Sequence, residues 1–290
     1  MAAIAHAPAR LCAAAAVLAA IGLGGEPARA QGKVEARYSA SLGGIPIGSG
    51  SWVIDIGQDQ YMAAASGRAS GLMRVFASGE GSSAVRGAIK RGRLVPGSFA
   101  ANLRSHENYD VRMELSQGNV KDLKSEPTLE PSPDRVPLTE EHRRGVVDPM
   151  TAVMMPVAGT GEVLSAEACR RKLPIFDGRQ RFDLTLSFKR MDSVESGRGY
   201  RGPAVVCSAR YLAIAGHRPG RYVIRYLQET REMEMWLVPI AGTRVLVPFR
   251  ISIPTLFGTA TLQATQFETE AQASRGTRAS SPSGRPPRGS

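Results

Sequence analysis

Apolar and polar residues alternate with a period of two along most of the chain between Val34 and Ala273. This period predicts β-strands, because successive side chains of a strand point to opposite faces. Turn residues separate the alternating runs, at Gly43-Gly44, Gly118-Asn119, Asp177-Gly178, residues 197–202 and Gly242. The runs are VEARYSASL, SWVIDIG, YDVRMELS, RFDLTLSF, RYVIRYL, EMEMWLV, RVLVPFRISI and GTATLQATQF. Their regular spacing predicts a mainly β fold, an antiparallel sheet that is curled or barrel-like.

Two stretches interrupt the alternation. Residues 127–137 form a proline-rich crossing loop. In VDPMTAVMMPVAG (147–159), Asp148 suits a helix N-cap and Pro149 suits the first helical turn, so we predict one short inserted helix that continues toward residues 165–172. Asp177 and Gly178 predict a tight hairpin turn. Asp148 and Asp177 could also act as a catalytic carboxylate pair, but the cap and the turn account for each separately.

The N-terminus has the three parts of a secretory signal peptide, namely Arg10, an apolar run over 11–23 and the small-residue pattern ARA at 28–30. A run of about thirteen residues is shorter than the roughly twenty that a membrane span needs. We therefore expect residues 1–30 to be a signal peptide and the periplasm to be the destination. We expect residues 31–273 to be a single β-rich domain with no integral membrane span, and 274–290 to be a disordered basic tail.

The chain carries a formal net charge of +11. An exported basic protein meets anionic lipid headgroups, lipopolysaccharide or acidic polysaccharide, so an anionic envelope component is a candidate partner. Nucleic acid is not expected, because the compartment is wrong and aromatic residues do not interleave with the cations. The charge could also serve solubility alone.

Two cysteines, Cys169 and Cys207, remain after removal of the signal peptide. An even number in an oxidising compartment predicts a disulfide. The alternative is a reactive thiolate, because three cations follow Cys169 and cations lower a thiol pKa. His106, His142 and His217 lie outside any recognisable nucleophile signature, so we expect that the protein is not an enzyme. The scattered histidines predict no metal site, and the absence of a phosphate-binding glycine loop predicts no cofactor.

The order of several motifs resembles the exported bacterial family catalogued as domain of unknown function 3108. The motifs are VDPMTAVM, a cysteine, LPIFDGRQRFDL, a second cysteine in VVCSARYLAIAG, and VPFRISIPTLFGTATLQA. The resemblance covers roughly Tyr38 to Thr269 and implies a periplasmic β-barrel-like protein without an established activity. The outline of a curled sheet with an inserted helix is also similar to the lipoprotein carriers of the Lol system, as architecture alone.

Methionine adapts its shape to irregular apolar surfaces, although it also fills ordinary cores. Our first hypothesis is therefore a periplasmic carrier whose apolar groove holds a lipid, an acyl chain or a protein segment, with the helix as a gate. The candidate ligand-binding residues are Met150, Met154, Met155, Met233 and Met235. The alternative is a scaffolding envelope protein with a filled core that binds protein or anionic polymer partners, and a hydrolase is a weaker alternative.

We expect cleavage after Ala30, so N-terminal sequencing of the exported protein should begin at Gln31. A mature N-terminus upstream of Leu23, or recovery only from salt-washed membranes, would contradict this prediction.

Overall fold

A computed structural model of the chain describes residues 31–70, 79–105, 108–230 and 232–272. The predicted signal peptide, the predicted tail and His106 lie outside these described residues. Fifteen strands run through the described part of the chain. They are β1 (Gly32–Leu42), β2 (Ile45–Ile56), β3 (Gln60–Ala69), β4 (Glu80–Lys90), β5 (Arg93–Arg104), β6 (Tyr109–Ser116), β7 (Asn119–Glu126), β8 (Met155–Pro156), β9 (Arg171–Phe176), β10 (Arg181–Glu195), β11 (Arg198–Gly199), β12 (Arg201–Ala215), β13 (Met233–Pro239), β14 (Val245–Thr255) and β15 (Gly258–Ala271).

All fifteen strands belong to one sheet, which confirms the predicted antiparallel curled fold. The main path is β7-β6-β5-β4-β3-β2-β1-β15-β14-β13-β12-β10-β9, while β11 pairs with β15 and β8 with β14. The path has two ends, β7 and β9, so the sheet is curled but not closed. The first and last long strands pair along their whole length, from Gly32 opposite Ala271 to Leu42 opposite Ala260.

The two halves of the sheet are buried differently. Strands β1 to β6 have one buried face, which the clean alternation of the β1, β2 and β6 sequences predicts. Strands β12 to β14 contain continuous buried runs, such as Ala204–Cys207 and Val245–Phe249. A continuous buried run requires cover on both faces of a sheet. One apolar cluster therefore fills the inner side of the curl, and a second lies on the other face of β10, β12 and β13.

A strap formed by residues 156–171 covers this second cluster and contains the predicted disulfide. Cys169 ends a 3₁₀ helix (Ala166–Cys169) and is bonded to Cys207 of β12, with a Cα–Cα distance of 5.4 Å. Arg171 donates to the carbonyls of Ala168 and Pro156 and so holds the two ends of the strap together. The disulfide and these hydrogen bonds fix the strap to the sheet.

The cations beside Cys169 have structural partners. Arg170 pairs with Glu167 at 3.1 Å, and Lys172 pairs with Asp183 at 3.0 Å. Both sulfurs are joined in the disulfide, so neither cysteine is the reactive thiolate of the alternative hypothesis.

The inserted helix is shorter than predicted. Helix α1 (Pro149–Ala152) is a single turn and does not continue toward residues 165–172. Met155 and Pro156 instead pair with Leu246 and Val245 of β14, so the backbone leaves the helix to join the sheet. The prediction of a continued helix was wrong because strand pairing competes for these residues.

The run RYVIRYL was also predicted incorrectly, since it forms helix α2 (Tyr222–Glu229) and not a strand. Tyr222 and Tyr226 stack at a centroid distance of 6.2 Å, which is the neighbour relation of positions i and i+4 on a helix. Leu227 packs against the second apolar cluster. The apolar residues of this run fit both periods, and the tertiary contact of Leu227 favours the helix.

Removal of the disulfide tests the role of the strap. The cysteines are 38 positions apart, and closure of a loop of that length stabilises a protein by about 4 kcal/mol in the chain-entropy model. We expect the double variant Cys169→Ala, Cys207→Ala to lose about 2–5 kcal/mol of unfolding free energy in denaturant titrations. An unchanged midpoint, or alkylation of both cysteines in unreduced wild-type protein, would contradict the prediction.

Candidate functional site

Helix α1 and its flanks plug the inner side of the curl. Met150 and Met154 are only 7% and 2% exposed and belong to the inner cluster. Ser83 of β4 donates a hydrogen bond to the Met150 sulfur at 3.1 Å. The hydroxyls of Tyr61 and Thr151 share a hydrogen bond of 2.7 Å. The helix therefore lies inside the core and does not cover an opening.

Asp148 caps this helix from a fully buried position. Its Oδ1 accepts from the Thr151 backbone N–H at 2.9 Å, while its buried Oδ2 has no hydrogen-bond partner among the described residues. Burial raises the pKa of Asp148, although the hydrogen bonds from Thr151 oppose that rise. Burial in the plug therefore favours the neutral form of Asp148 more than exposure to solvent would.

The five candidate methionines do not form one binding surface. Met150 and Met154 lie in the inner cluster, whereas Met155, Met233 and Met235 lie in the second cluster beneath the strap. All five are buried. They act as core residues in this structure, and the predicted methionine-lined groove is not assembled.

Asp177 and Gly178 form the predicted hairpin turn between β9 and β10. Asp177 Oδ1 accepts from the backbone N–H groups of Arg179 at 2.8 Å and Gln180 at 2.6 Å. Gly178 has φ of +92°, and a Cβ there would lie 2.3 Å from a Val111 methyl. Burial raises the pKa of Asp177, and the two backbone donors oppose the rise. Each aspartate thus has a local structural partner, as the turn and cap interpretations require.

The described residues hold no group of three or more His, Cys, Asp or Glu side chains that could bind a metal ion. Within the same described part of the chain, no helix is long and apolar enough to cross a membrane.

His217 is buried in the turn after β12, and this burial lowers its pKa.

The opposite face of β1 to β6 is polar and continues onto β14 and β15. Directly paired residues of neighbouring strands share one face of a sheet. By this rule one row of side chains crosses seven strands from β14 to β5. The row is Arg250, Gln263, Ser39, Ser49, Arg68, Glu80 and Arg104. Six steps of about 4.8 Å make this row roughly 29 Å long.

Three open grooves lie along this face, with volumes of about 430, 680 and 660 Å³. The first two share Ser51, Ser66, Ser82 and Asn102, so they are continuous. We call this surface the polar trough. Its side chains are Arg37, Ser39, Ser41, Ser49, Ser51, Val53, Ala64, Ser66, Arg68, Glu80, Ser82, Ala84, Ala100, Asn102, Asp110, Arg112, Arg250, Ser252, Thr261 and Gln263.

Small side chains explain the depth of the trough. The row Ala64, Ala84, Ala100 crosses β3 to β5, with Val53 and Arg112 at its ends. A parallel row consists of Ser51, Ser66, Ser82 and Asn102, in which Asn102 donates to Ser82 at 2.7 Å. Short side chains over the middle of a sheet leave room for a ligand to approach the backbone.

The trough is more cationic than anionic. No carboxylate of the described residues lies within ion-pair distance of Arg37, Arg68, Arg112 or Arg250, whereas Asp110 is paired with Arg104 at 2.8 Å. The Arg250 guanidinium lies 4.6 Å from the ring centroid of Trp236, a cation–π contact that orients it. The sequence did not reveal the row that contains Arg250, because the row depends on pairings between distant strands.

An open, mainly antiparallel curled sheet with a filled interior and a polar outer trough defines the structural class of this protein. The chain belongs to the family described as protein of unknown function (DUF3108), whose model matches residues 37–265. This membership confirms the family resemblance of the sequence motifs.

The chain is similar to two solved structures, each at 9% sequence identity. One is the beta-barrel-like protein of domain of unknown function DUF1849 from Brucella abortus, with a TM-score of 0.42 over 83% of this chain and 98% of that chain. The other is a putative lipoprotein from Parabacteroides distasonis, with a TM-score of 0.32 over 83% of this chain and 96% of that chain. Neither informs the function at these values. No curated protein matches the chain.

Asp148→Asn tests the electrostatics of the plug. Asparagine also caps helices, so the N-cap is kept while the buried charge is removed. A raised native pKa means that the folded protein binds more protons than the unfolded chain, so wild-type stability falls as pH rises between the two pKa values. The variant should gain stability relative to wild type over this window, by about 1.4 kcal/mol for each unit of pKa elevation.

Denaturant titrations at pH 4, 5.5 and 7 would measure this difference in stability. The pKa of Asp177 is raised as well, but its contribution to the pH dependence is the same in both proteins and does not affect the difference. A stability difference that does not change with pH would contradict the prediction.

Proposed function

We propose that this protein is an exported, non-enzymatic binding protein of the cell envelope that holds an extended anionic polysaccharide in the polar trough. The main support for the proposal is the location of the open grooves. The grooves lie on the polar face, whereas the plug residues Met150 and Met154 fill the inner side. This is the alternative that the sequence left open, a filled core with an anionic polymer partner.

The chemistry of the trough fits a hydroxyl-bearing polymer. Serine, threonine, asparagine and glutamine side chains can both donate and accept hydrogen bonds, as sugar hydroxyls do. Arg37, Arg68 and Arg112, which lack ion-pair partners among the described residues, would attract carboxylate or phosphate groups on the polymer. A row of roughly 29 Å suits a chain of several sugar units better than a compact small molecule.

An oxidising compartment agrees with this proposal. The disulfide between Cys169 and Cys207 is of the kind that persists in exported proteins. Periplasmic export remains our proposal on that basis and on the signal-peptide pattern of residues 1–30.

Charge removal in the trough tests the proposed function. The probe is polygalacturonate, a carboxylate polysaccharide, with neutral dextran as the control ligand. We expect the double variant Arg37→Ser, Arg68→Ser to bind about tenfold more weakly, because two surface charge contacts of about 0.7 kcal/mol each amount to that factor. Binding of wild type should weaken with added salt.

The matched control is Arg93→Ser, Arg210→Ser, which removes the same charge from exposed arginines outside the three grooves. Equal weakening by both double variants would reduce the effect to net charge and contradict the proposal. Failure of wild type to bind polygalacturonate, or equal binding of dextran, would contradict it as well.

A second candidate, the apolar carrier, has one observation in its favour. Toward the end of the curl that carries the Gly43-Gly44 turn, the inner face becomes lined by small residues. One row there has Gly50, Gly67 and Gly81 between Tyr38 of β1 and Leu103 of β5, whereas a row nearer the plug has bulky side chains throughout its middle, among them Ile54, Val85 and Phe99. The inner face could therefore admit an acyl chain at that end.

Adjacent residues of β3 separate the two candidates. Ser66 faces the trough, whereas Gly67 belongs to the inner row and only its backbone borders the trough, and an added Cβ at Gly67 would meet no atom closer than 3.7 Å. Under the proposed function, Ser66→Leu should weaken polygalacturonate binding and Gly67→Leu should not. Co-purification of lipid with wild type that Gly67→Leu abolishes and Ser66→Leu spares would favour the carrier.

A further inference from the structure

Two hairpin turns lie side by side at the end of the sheet farthest from the described chain ends. One is the Gly43-Gly44 turn between β1 and β2, and the other is the turn between β14 and β15. The Gly43 N–H donates to the Thr259 carbonyl at 3.0 Å, which joins them. At the opposite end Gln272 donates to Gln31, one strand length or roughly 36 Å away. We call the two joined turns the hairpin tip.

The hairpin tip exposes large apolar side chains. Phe257 is 81% exposed, more than any other large hydrophobic residue that the structure describes, and Leu256 and Ile45 are 58% and 59% exposed. Isolated apolar residues are common on surfaces, but a cluster at the apex of two turns marks an interaction site.

Hydrogen bonds and a glycine fix the backbone of the turn between β14 and β15. The Phe257 N–H donates to Thr255 Oγ1 at 3.2 Å, and the same hydroxyl donates to the Gly258 carbonyl at 2.6 Å. Gly258 has φ of +108°, a conformation that favours glycine. The turn therefore projects Leu256 and Phe257 from the end of the sheet, where both side chains are exposed to solvent.

The two chain segments that form the tip contain no carboxylate. Residues 36–54 include Arg37 as their single charged residue, and residues 245–267 include Arg250 as theirs. Directly behind the tip lies the groove that contains Gly43 and Gly44, and its polar lining includes Ser41, Thr259 and Arg250. Apolar side chains lie at the apex, hydroxyl groups lie behind them, and a cation lies farther back. This order matches a lipid surface, in which acyl chains are followed by polar headgroups that carry anionic phosphates.

We propose that the hairpin tip inserts Leu256, Phe257 and Ile45 into the interface of an anionic lipid membrane. This inference goes beyond the polysaccharide-binding function and does not depend on it, because the apolar apex lies outside the residues that line the trough. A protein partner on the tip is the competing occupant. The lipid surface is favoured because three apolar side chains at a convex apex offer no pocket or flat area for a protein interface of ordinary size.

Vesicle sedimentation tests the proposal on the full mature chain. The probes are vesicles of phosphatidylcholine alone and vesicles with phosphatidylglycerol added. Wild type should bind the anionic vesicles, and Leu256→Ser, Phe257→Ser should bind at least about tenfold more weakly. The matched control is Phe188→Ser, Met191→Ser on β10, where the side chains are 43% and 46% exposed, and it should bind as wild type does.

A tryptophan probe reports insertion directly. Emission from Phe257→Trp should shift to shorter wavelength when anionic vesicles are added, whereas emission from Phe188→Trp should not. Absence of wild-type binding, equal binding by the tip variant, or equal spectral behaviour of the two tryptophan variants would overturn the proposal.

The two functions can fail separately in these assays. The tip variant should keep its polygalacturonate affinity, and Arg37→Ser, Arg68→Ser should keep most of its vesicle binding. Loss of both activities in the tip variant, with unchanged thermal unfolding, would show that the tip belongs to the trough and would overturn the separate membrane role.

Discussion

The interior of an open curled sheet must be kept dry, and here the chain fills it with its own residues. The sheet path ends at β7 and β9, so no barrel closure encloses the apolar face. The segment that begins at Asp148 inserts Met150 and Met154 between the strands, and Tyr61 and Thr151 satisfy each other inside. Because this plug occupies the inner side, space for a ligand is found mainly on the opposite face.

The rest of the architecture follows from the same requirement. Strands β12 to β14 are covered on the inner side by the plug and on the outer side by the strap, which explains their continuous apolar runs. The disulfide and Arg171 fix the strap over the second cluster. Strands β1 to β6 have cover on one face alone, so their other face is free to become the polar trough. The doubly covered runs of β12 to β14 thus form a structural part of the sheet, whereas the face left exposed on β1 to β6, together with Arg250 and Ser252 of β14, forms the binding surface.

Much of the fold could be predicted from the sequence, because alternation at period two is a local signal. No alternating run was predicted for β3, β4, β5, β7, β9 or β12, or for the two-residue strands β8 and β11. In β3 and β4, runs such as AAASGRA and GSSAVRG alternate among small residues with little contrast in hydropathy. Helix α2 was assigned to a strand because Tyr222, Ile224 and Tyr226 fit a period of two, and only the contact of Leu227 with the second cluster decides for a helix.

The disulfide was predictable from compartment and cysteine number, and the cap and turn aspartates from local chemistry. The trough was not predictable in this way. Arg250 and Ser49 share a row because β1 pairs with both β15 and β2, and the pairing of chain ends has no local signature. The methionine hypothesis failed for a related reason, since sequence spacing does not tell which of two apolar faces a residue joins.

Methionine oxidation tests the filled interior most directly. Peroxide oxidises methionine according to its exposure, and the chain provides internal standards. Met62 and Met191 are 45% and 46% exposed, whereas Met150 and Met154 are 7% and 2% exposed. Peptide mass spectrometry of native protein over time should show rapid sulfoxide formation at the first pair and strong protection at the second. Oxidation of Met150 and Met154 at rates close to those of Met62 and Met191 would show an open interior and contradict this account.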